Sequence, residues 1–110
     1  MQKYKLLLEE FVSRVRSVLG DDFVEAILYG SFARGDNRDD SDIDIMILTT
    51  LSEEAIEKIE NEIFDIAYDY MLSDAVTISV NVKNKAHFLY WSDNLPYYKN
   101  VKKEGIILAG

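Results

Sequence analysis

A chain of 110 residues with 48% apolar and 29% charged side chains has the size and make-up of one globular domain with a single core. Acids outnumber bases 20 to 12, a net charge of −8 that excludes a stand-alone nucleic-acid binder, because non-specific grip comes from Lys and Arg neutralising phosphates. With no cysteine there are no disulfides or thiolate metal sites, no apolar run approaches the roughly 18 residues of a membrane span, and MQKYKLLLEE turns acidic too early for a signal peptide; together these suggest a cytoplasmic protein with no membrane contact.

Tyr4, Leu7, Leu8, Phe11, Val12, Val15, Val18 and Leu19 recur at helical spacing, which predicts an amphipathic first helix closed by Gly20. Phe23 to Tyr29 is apolar and nearly continuous, as in a strand covered on both faces. Ser31 to Ser41 is a polar turn with Gly35 and several Asp. A second strand follows over Asp42 to Thr49, with Ile43, Ile45 and Ile47 toward the core and Asp42, Asp44, Met46 and Leu48 on the other face. Thr50 to Glu53 reads as a capping box that opens a long helix carrying Ile56, Ile59, Ile63, Ala67 and Tyr70 on one stripe. Val76 to Val82 alternates as a strand. Lys85 to Trp91 suggests a short helix, Pro96 breaks the chain, Tyr97 to Glu104 suggests another helix, and Gly105 leads into an apolar tail. The order α-β-β-α-β-α implies an α+β domain, residues 1–110, built on a small three-stranded mixed sheet with helices packed on it.

The run GSFARGDNRDDSDIDIMIL is where chemistry concentrates. A Gly-Ser turn directly after a strand can set backbone N–H groups against a polyphosphate. Gly30 permits close approach, the Ser31 hydroxyl can donate to a phosphate oxygen, and Arg34 can pair with a phosphate. Asp42 and Asp44, about 7 Å apart at Cα along one face, can converge on metal. Magnesium takes oxygen ligands and keeps water, so two carboxylates plus substrate phosphates suffice, and a pair of ions can clamp both reacting oxygens. Each half of this pattern alone is weak: Gly-Ser is usually just a turn, and Asp-x-Asp usually a solvated strand end. The joint pattern points to nucleotide and metal binding. Asp36, Asp39 and Asp40 read as a solvated loop.

GSFARGDNRDDSDIDI resembles the signature of the DNA polymerase β-like nucleotidyltransferases, and most of all the minimal nucleotidyltransferases, whose Gly-Ser, ten residues, Asp-x-Asp pattern falls on Gly30, Ser31, Asp42 and Asp44. The match is specific over residues 27–48; KNVKKEGIIL near the end is also family-like. The resemblance implies a nucleotidyltransferase core like the polymerase β palm, ATP as substrate, Mg²⁺ (two ions) at Asp42 and Asp44, and nucleotide contacts at Gly30, Ser31 and Arg34. It further implies transfer of AMP to a protein partner, a tyrosine of a HEPN-domain ribonuclease toxin, so that the chain acts as an antitoxin. Self-association stays open.

One departure bears on catalysis. The superfamily usually places a third carboxylate on the next strand to help deprotonate the acceptor hydroxyl, but here that face carries Thr77, Ser79 and Asn81, with Asp74 ahead of the strand. General-base help is worth roughly 10²–10⁴-fold. The alternative reading is therefore a non-catalytic antitoxin that binds nucleotide and masks its toxin by contact. His87 reads as a surface helix position, Trp91, Tyr97 and Tyr98 as packing aromatics more than an adenine platform, and Lys99, Lys102 and Lys103 as a solvated face or a contact for an acidic partner.

Overall fold

The computed structural model describes residues 2–110. After a 3₁₀ turn come helix α1 (Lys5–Leu19) and strand β1 (Phe23–Tyr29), then a one-turn helix α2 (Ser31–Arg34) and strand β2 (Ile43–Thr49). Helix α3 (Glu53–Asp74), strand β3 (Ile78–Asn84), helices α4 (Lys85–Trp91) and α5 (Pro96–Glu104), and strand β4 (Ile106–Ala109) complete the chain. The domain is α+β, but its sheet has four strands in the order β3-β2-β1-β4, not three. The added strand is the apolar tail, which pairs antiparallel with β1 through Ile27↔Ile107 and Leu28↔Ile106.

β2 pairs antiparallel with β1 and parallel with β3, so it sits inside the sheet with helices over both faces. Ile43, Ile45 and Ile47 pack with Phe11 and Val15 of α1 and Ile56, Ile63 and Tyr70 of α3. Met46 and Leu48, on the opposite face, pack with Ile27 of β1, Phe88 of α4 and Val101 of α5. This explains the near-continuous apolar run of β2: its residues from Ile45 to Thr49 are all buried. Only at its start, where β2 leaves the core, can a charged side chain stand on it without being sealed in.

Local signals hold α3 and α4 in place, and one departs from its sequence reading. Ser52, not Thr50, caps α3 by accepting from the Ala55 N–H at 3.2 Å. Thr50 spends its hydroxyl on Asp22 Oδ1 at 2.6 Å instead, tying the chain before α3 to the turn before β1. Asn84 ends β3 and caps α4: its side chain accepts from the His87 N–H at 3.1 Å and donates to the Leu51 carbonyl at 2.9 Å. β3 itself begins at Ile78, two residues later than the alternation suggested, and runs on to Asn84. Pro96 opens α5, where its missing N–H costs nothing. Among the described residues no helix is long and apolar enough to cross a membrane.

Candidate functional site

β1 ends at Tyr29 and the chain turns at Gly30 with φ +76° and ψ −155°, a conformation essentially reserved for glycine. The turn closes as α2, with the Arg34 N–H bonded to the Gly30 carbonyl at 3.1 Å, and leaves through Gly35 in the left-handed region. It is buttressed by Phe32, which is buried against Tyr4 in an edge-on contact of 5.5 Å between ring centres. Gly30 is also required by its surroundings: a Cβ there would fall on Oδ2 of Asp44 and lie 3.2 Å from its Cγ. The Asp44 carboxylate thus lies directly against the backbone of the Gly-Ser turn.

Cross-strand register sets the rest. Tyr29 of β1 pairs with Asp44 of β2, which pairs with Ser79 of β3, forming a row across the end of the sheet; the next row is Ile27, Met46, Asn81. Asp42 lies one residue before β2 rather than inside it, exposed at the mouth, while Asp44 is half-buried. Burial first, and then the charge of Asp42, push the Asp44 carboxyl above the usual carboxylate range; Arg34 pulls it part of the way back. A carboxyl whose proton affinity is raised by a partly dry niche and by a neighbouring acid forms a site that a cation would relieve. Among the described residues no third His, Cys, Asp or Glu joins them in a metal-binding group. Two carboxylates are too few for a protein-only Ca²⁺ or Zn²⁺ cage but match the habit of Mg²⁺, which fills its other positions with water and phosphate.

Of the five residues singled out from the sequence, the structure therefore brings Gly30, Ser31, Asp42 and Asp44 to one end of the sheet. Arg34 stands beside them but is engaged: its Nε meets Asp36 and its Nη1 meets Glu104 of α5, both at 3.2 Å. Asp39 and Asp40 line a separate shallow depression with Tyr4, Phe32 and the Ala75–Thr77 segment. Asp74 ends α3, which packs on the face opposite Asp44, and its carboxylate accepts from Ser73. It does not replace the missing third carboxylate. His87 is exposed and bonded through Nδ1 to Glu53 at 2.8 Å, as suits a surface position. Tyr98 packs edge-on against Phe88, and Trp91 against Tyr90. Lys102 of the α5 basic face pairs with Asp93.

Sequence reasoning missed a hydroxyl cluster next to Asp44. Tyr29 and Tyr97 place their hydroxyls 2.6 Å apart, and the Asn81 side-chain amide donates to both, at 3.0 and 3.1 Å. The strand parity of Asn81 was visible, but Tyr29 looked like the last residue of an apolar strand and Tyr97 lies far along the chain. A concavity of about 730 Å³ between α1 and β4 shares no residue with this region. It is mainly apolar, with no convergent acids, so the site is assigned by chemistry rather than by size.

Comparisons with known proteins bear on the family of the whole chain. A family model described as the nucleotidyltransferase domain matches residues 8–108. A protein of Methanocaldococcus jannaschii, provisionally named a protein adenylyltransferase, is 32% identical over 92 residues, 84% of this chain and 91% of that protein. A second from the same organism, named likewise, is 30% identical over 104 residues, 92% of this chain and 93% of that one. Among solved structures, a provisionally named nucleotidyltransferase from Sulfolobus solfataricus superposes with a TM-score of 0.55 at 22% identity, covering 96% of this chain and 78% of the other. A toxin–antitoxin structure with AMP-PNP superposes at 0.53 and 20% identity, covering 93% and 73%; at such identities the likeness is one of fold. The chain is an enzyme of the nucleotidyltransferase class and belongs to the nucleotidyltransferase-domain family that its Gly-Ser and Asp-x-Asp residues resemble.

Proposed function

We propose that the protein is a Mg²⁺-dependent adenylyltransferase that moves AMP from ATP to a tyrosine of a partner protein, a HEPN-domain toxin, and so acts as a cytoplasmic antitoxin. The observation that carries this reading is the Asp44 carboxylate lying against the backbone of Gly30, with Asp42 at the same strand mouth. The names of the archaeal relatives and the toxin–antitoxin neighbour with AMP-PNP support it.

Gly30 and Ser31 would hold the β- and γ-phosphates, with Arg34 able to assist once it lets go of Glu104. Asp42 and Asp44 would hold Mg²⁺, which when bound neutralises triphosphate charge and eases departure of pyrophosphate. The acceptor oxygen forms its bond to the α-phosphorus as the bond to the bridging oxygen breaks. The hydroxyl proton passes to solvent or to a base on the partner, because Ser79 and Asn81 stand where a carboxylate would receive it. Those two residues favour a second reading, a nucleotide-binding antitoxin that neutralises its toxin by contact alone.

The test is incubation of the protein with its adjacently encoded partner, Mg²⁺ and ATP labelled at the α-phosphate, followed by intact mass of both chains. The expected result is AMP on the partner, abolished by Asp42→Asn or Asp44→Asn in variants that still fold. A neutralised but unmodified partner decides for the contact reading, and full transfer by either variant removes the metal-site assignment.

A further inference from the structure

Counting protons in the hydroxyl cluster gives it a polarity. The Asn81 amide nitrogen donates to both the Tyr29 oxygen and the Tyr97 oxygen, which stand close enough together to share its N–H groups. The two phenols, 2.6 Å apart, must share one proton between their oxygens. The opposite amide orientation would set its oxygen against a phenol oxygen that has no proton to give, so the donor orientation is the consistent one. Two phenol protons are present and one is used, which leaves a single O–H with no partner in the cluster. Tyr97 is the more open residue of the pair, 44% exposed, while Tyr29 is half-buried against the sheet. Either phenol can donate to the other; with Tyr29 donating to Tyr97, the remaining O–H is on Tyr97, the more accessible residue of the two.

That donor faces the nucleotide end of the sheet. Tyr29 pairs with Asp44, the residue set against the Gly-Ser turn, and α5 presents Tyr97 over the same face. The Asp44 charge reaches the Tyr97 phenol and, with burial of its hydroxyl end and the bond to Tyr29 as larger causes, raises its proton affinity, so it stays a donor at any working pH. A carboxylate on this strand would accept protons and repel a polyanion, whereas the spare phenol O–H of this cluster is neutral and can donate.

We propose that the Tyr97 hydroxyl is a nucleotide-binding group that donates to a phosphate oxygen of the substrate, with Tyr29 and Asn81 as its positioning residues. The proposal rests on the nucleotide site argued under Proposed function. The enzyme has in this view exchanged a proton acceptor on its third strand for a hydroxyl of α5, held there by Asn81, that donates a hydrogen bond to phosphate; this strengthens ground-state binding and leaves deprotonation of the acceptor to others.

Calorimetric titration with Mg²⁺ and AMP-PNP, and separately with Mg²⁺ and inorganic triphosphate, tests it in the wild type and in four variants whose melting curves confirm folding. Tyr97→Phe should weaken both ligands by roughly tenfold, the worth of a hydrogen bond to a charged group. Asn81→Asp, which keeps Tyr97 but lets a carboxylate capture its proton, should lose at least as much. Tyr29→Phe should lose less than Tyr97→Phe, and Tyr98→Phe, on the same helix but outside the cluster, should match the wild type. Wild-type affinity in folded Tyr97→Phe or Asn81→Asp overturns the proposal, as does a larger loss in Tyr29→Phe or a loss confined to AMP-PNP, which would put the contact on sugar or base. A wild type that binds neither ligand defeats the nucleotide site itself and the proposal with it.

Discussion

Replacing Gly30 by alanine tests the contact on which the site is built, because two separable penalties meet at that atom. The first is local: φ +76° with ψ −155° costs a residue with a Cβ about 1–3 kcal/mol wherever it occurs. For a chain of this size that corresponds to a fall of about 4–12 °C in melting temperature. The second depends on Asp44, whose carboxylate the new methyl would strike, and overpacking of this kind costs about 1–3 kcal/mol more. Asp44→Ala removes the carboxylate and leaves only its Cβ, 3.4 Å from the new methyl, an ordinary contact. A double-mutant cycle of Gly30→Ala and Asp44→Ala, measured by urea denaturation with chelator and no nucleotide, should show a coupling of about 1–3 kcal/mol. The double variant should keep the backbone penalty and lose the steric one. If Gly30→Ala costs the same in both backgrounds to within about 0.5 kcal/mol, Asp44 does not abut the turn and the site dissolves.

Asp44→Asn should raise the melting temperature of the protein free of Mg²⁺ and nucleotide, because the folded state raises the Asp44 pKa and so penalises its ionised form. Wild-type stability is lowered by this residue near neutrality and the deficit fades as pH falls, so the gap between variant and wild type should close below about pH 4, where the carboxyl is protonated folded or unfolded; a gap that widens on acidification would contradict the burial argument. Asn84→Ala strips both the α4 cap and the bond to Leu51 and should cost about 1–2 kcal/mol, a loss of about 4–8 °C, with Asn84→Asp in between; no change in the melting curve would mean that α4 is held by packing alone.

What could be read from the residues was whatever depends on near neighbours. The stripes of α1 and α3, the two-sided burial of β1, the core-facing isoleucines of β2 and the alternation of β3 all follow from side chains spaced along one element. The capping of α3 shows the limit of a pattern: Thr50-Leu-Ser-Glu53 fits a box, but Asp22, far back in the chain, competes for the Thr50 hydroxyl, and Ser52 caps instead. β4 was illegible for the same kind of reason. Its four residues have no alternation, Ile106 and Ile107 remain exposed, and only pairing with β1, on the far side of the whole chain, makes them a strand. Gly30, Ser31, Asp42 and Asp44 could be named as candidates because the motif is compact in sequence. Tyr29, Asn81 and Tyr97 belong to three elements and meet only through the sheet register and the placement of α5, so no spacing rule could reveal them.

α5 touches both sides of this cleft. Near its start Tyr97 is fastened to β1 and β3, and at its last residue Glu104 grips Arg34 beside the glycine turn. Nine helical residues span about 13 Å, a length that does not stretch. The gap between the turn and the third strand is thus gauged by a rigid rod, and lengthening or shortening that rod by one residue would rotate one fastening away from its mate while leaving every motif residue in place.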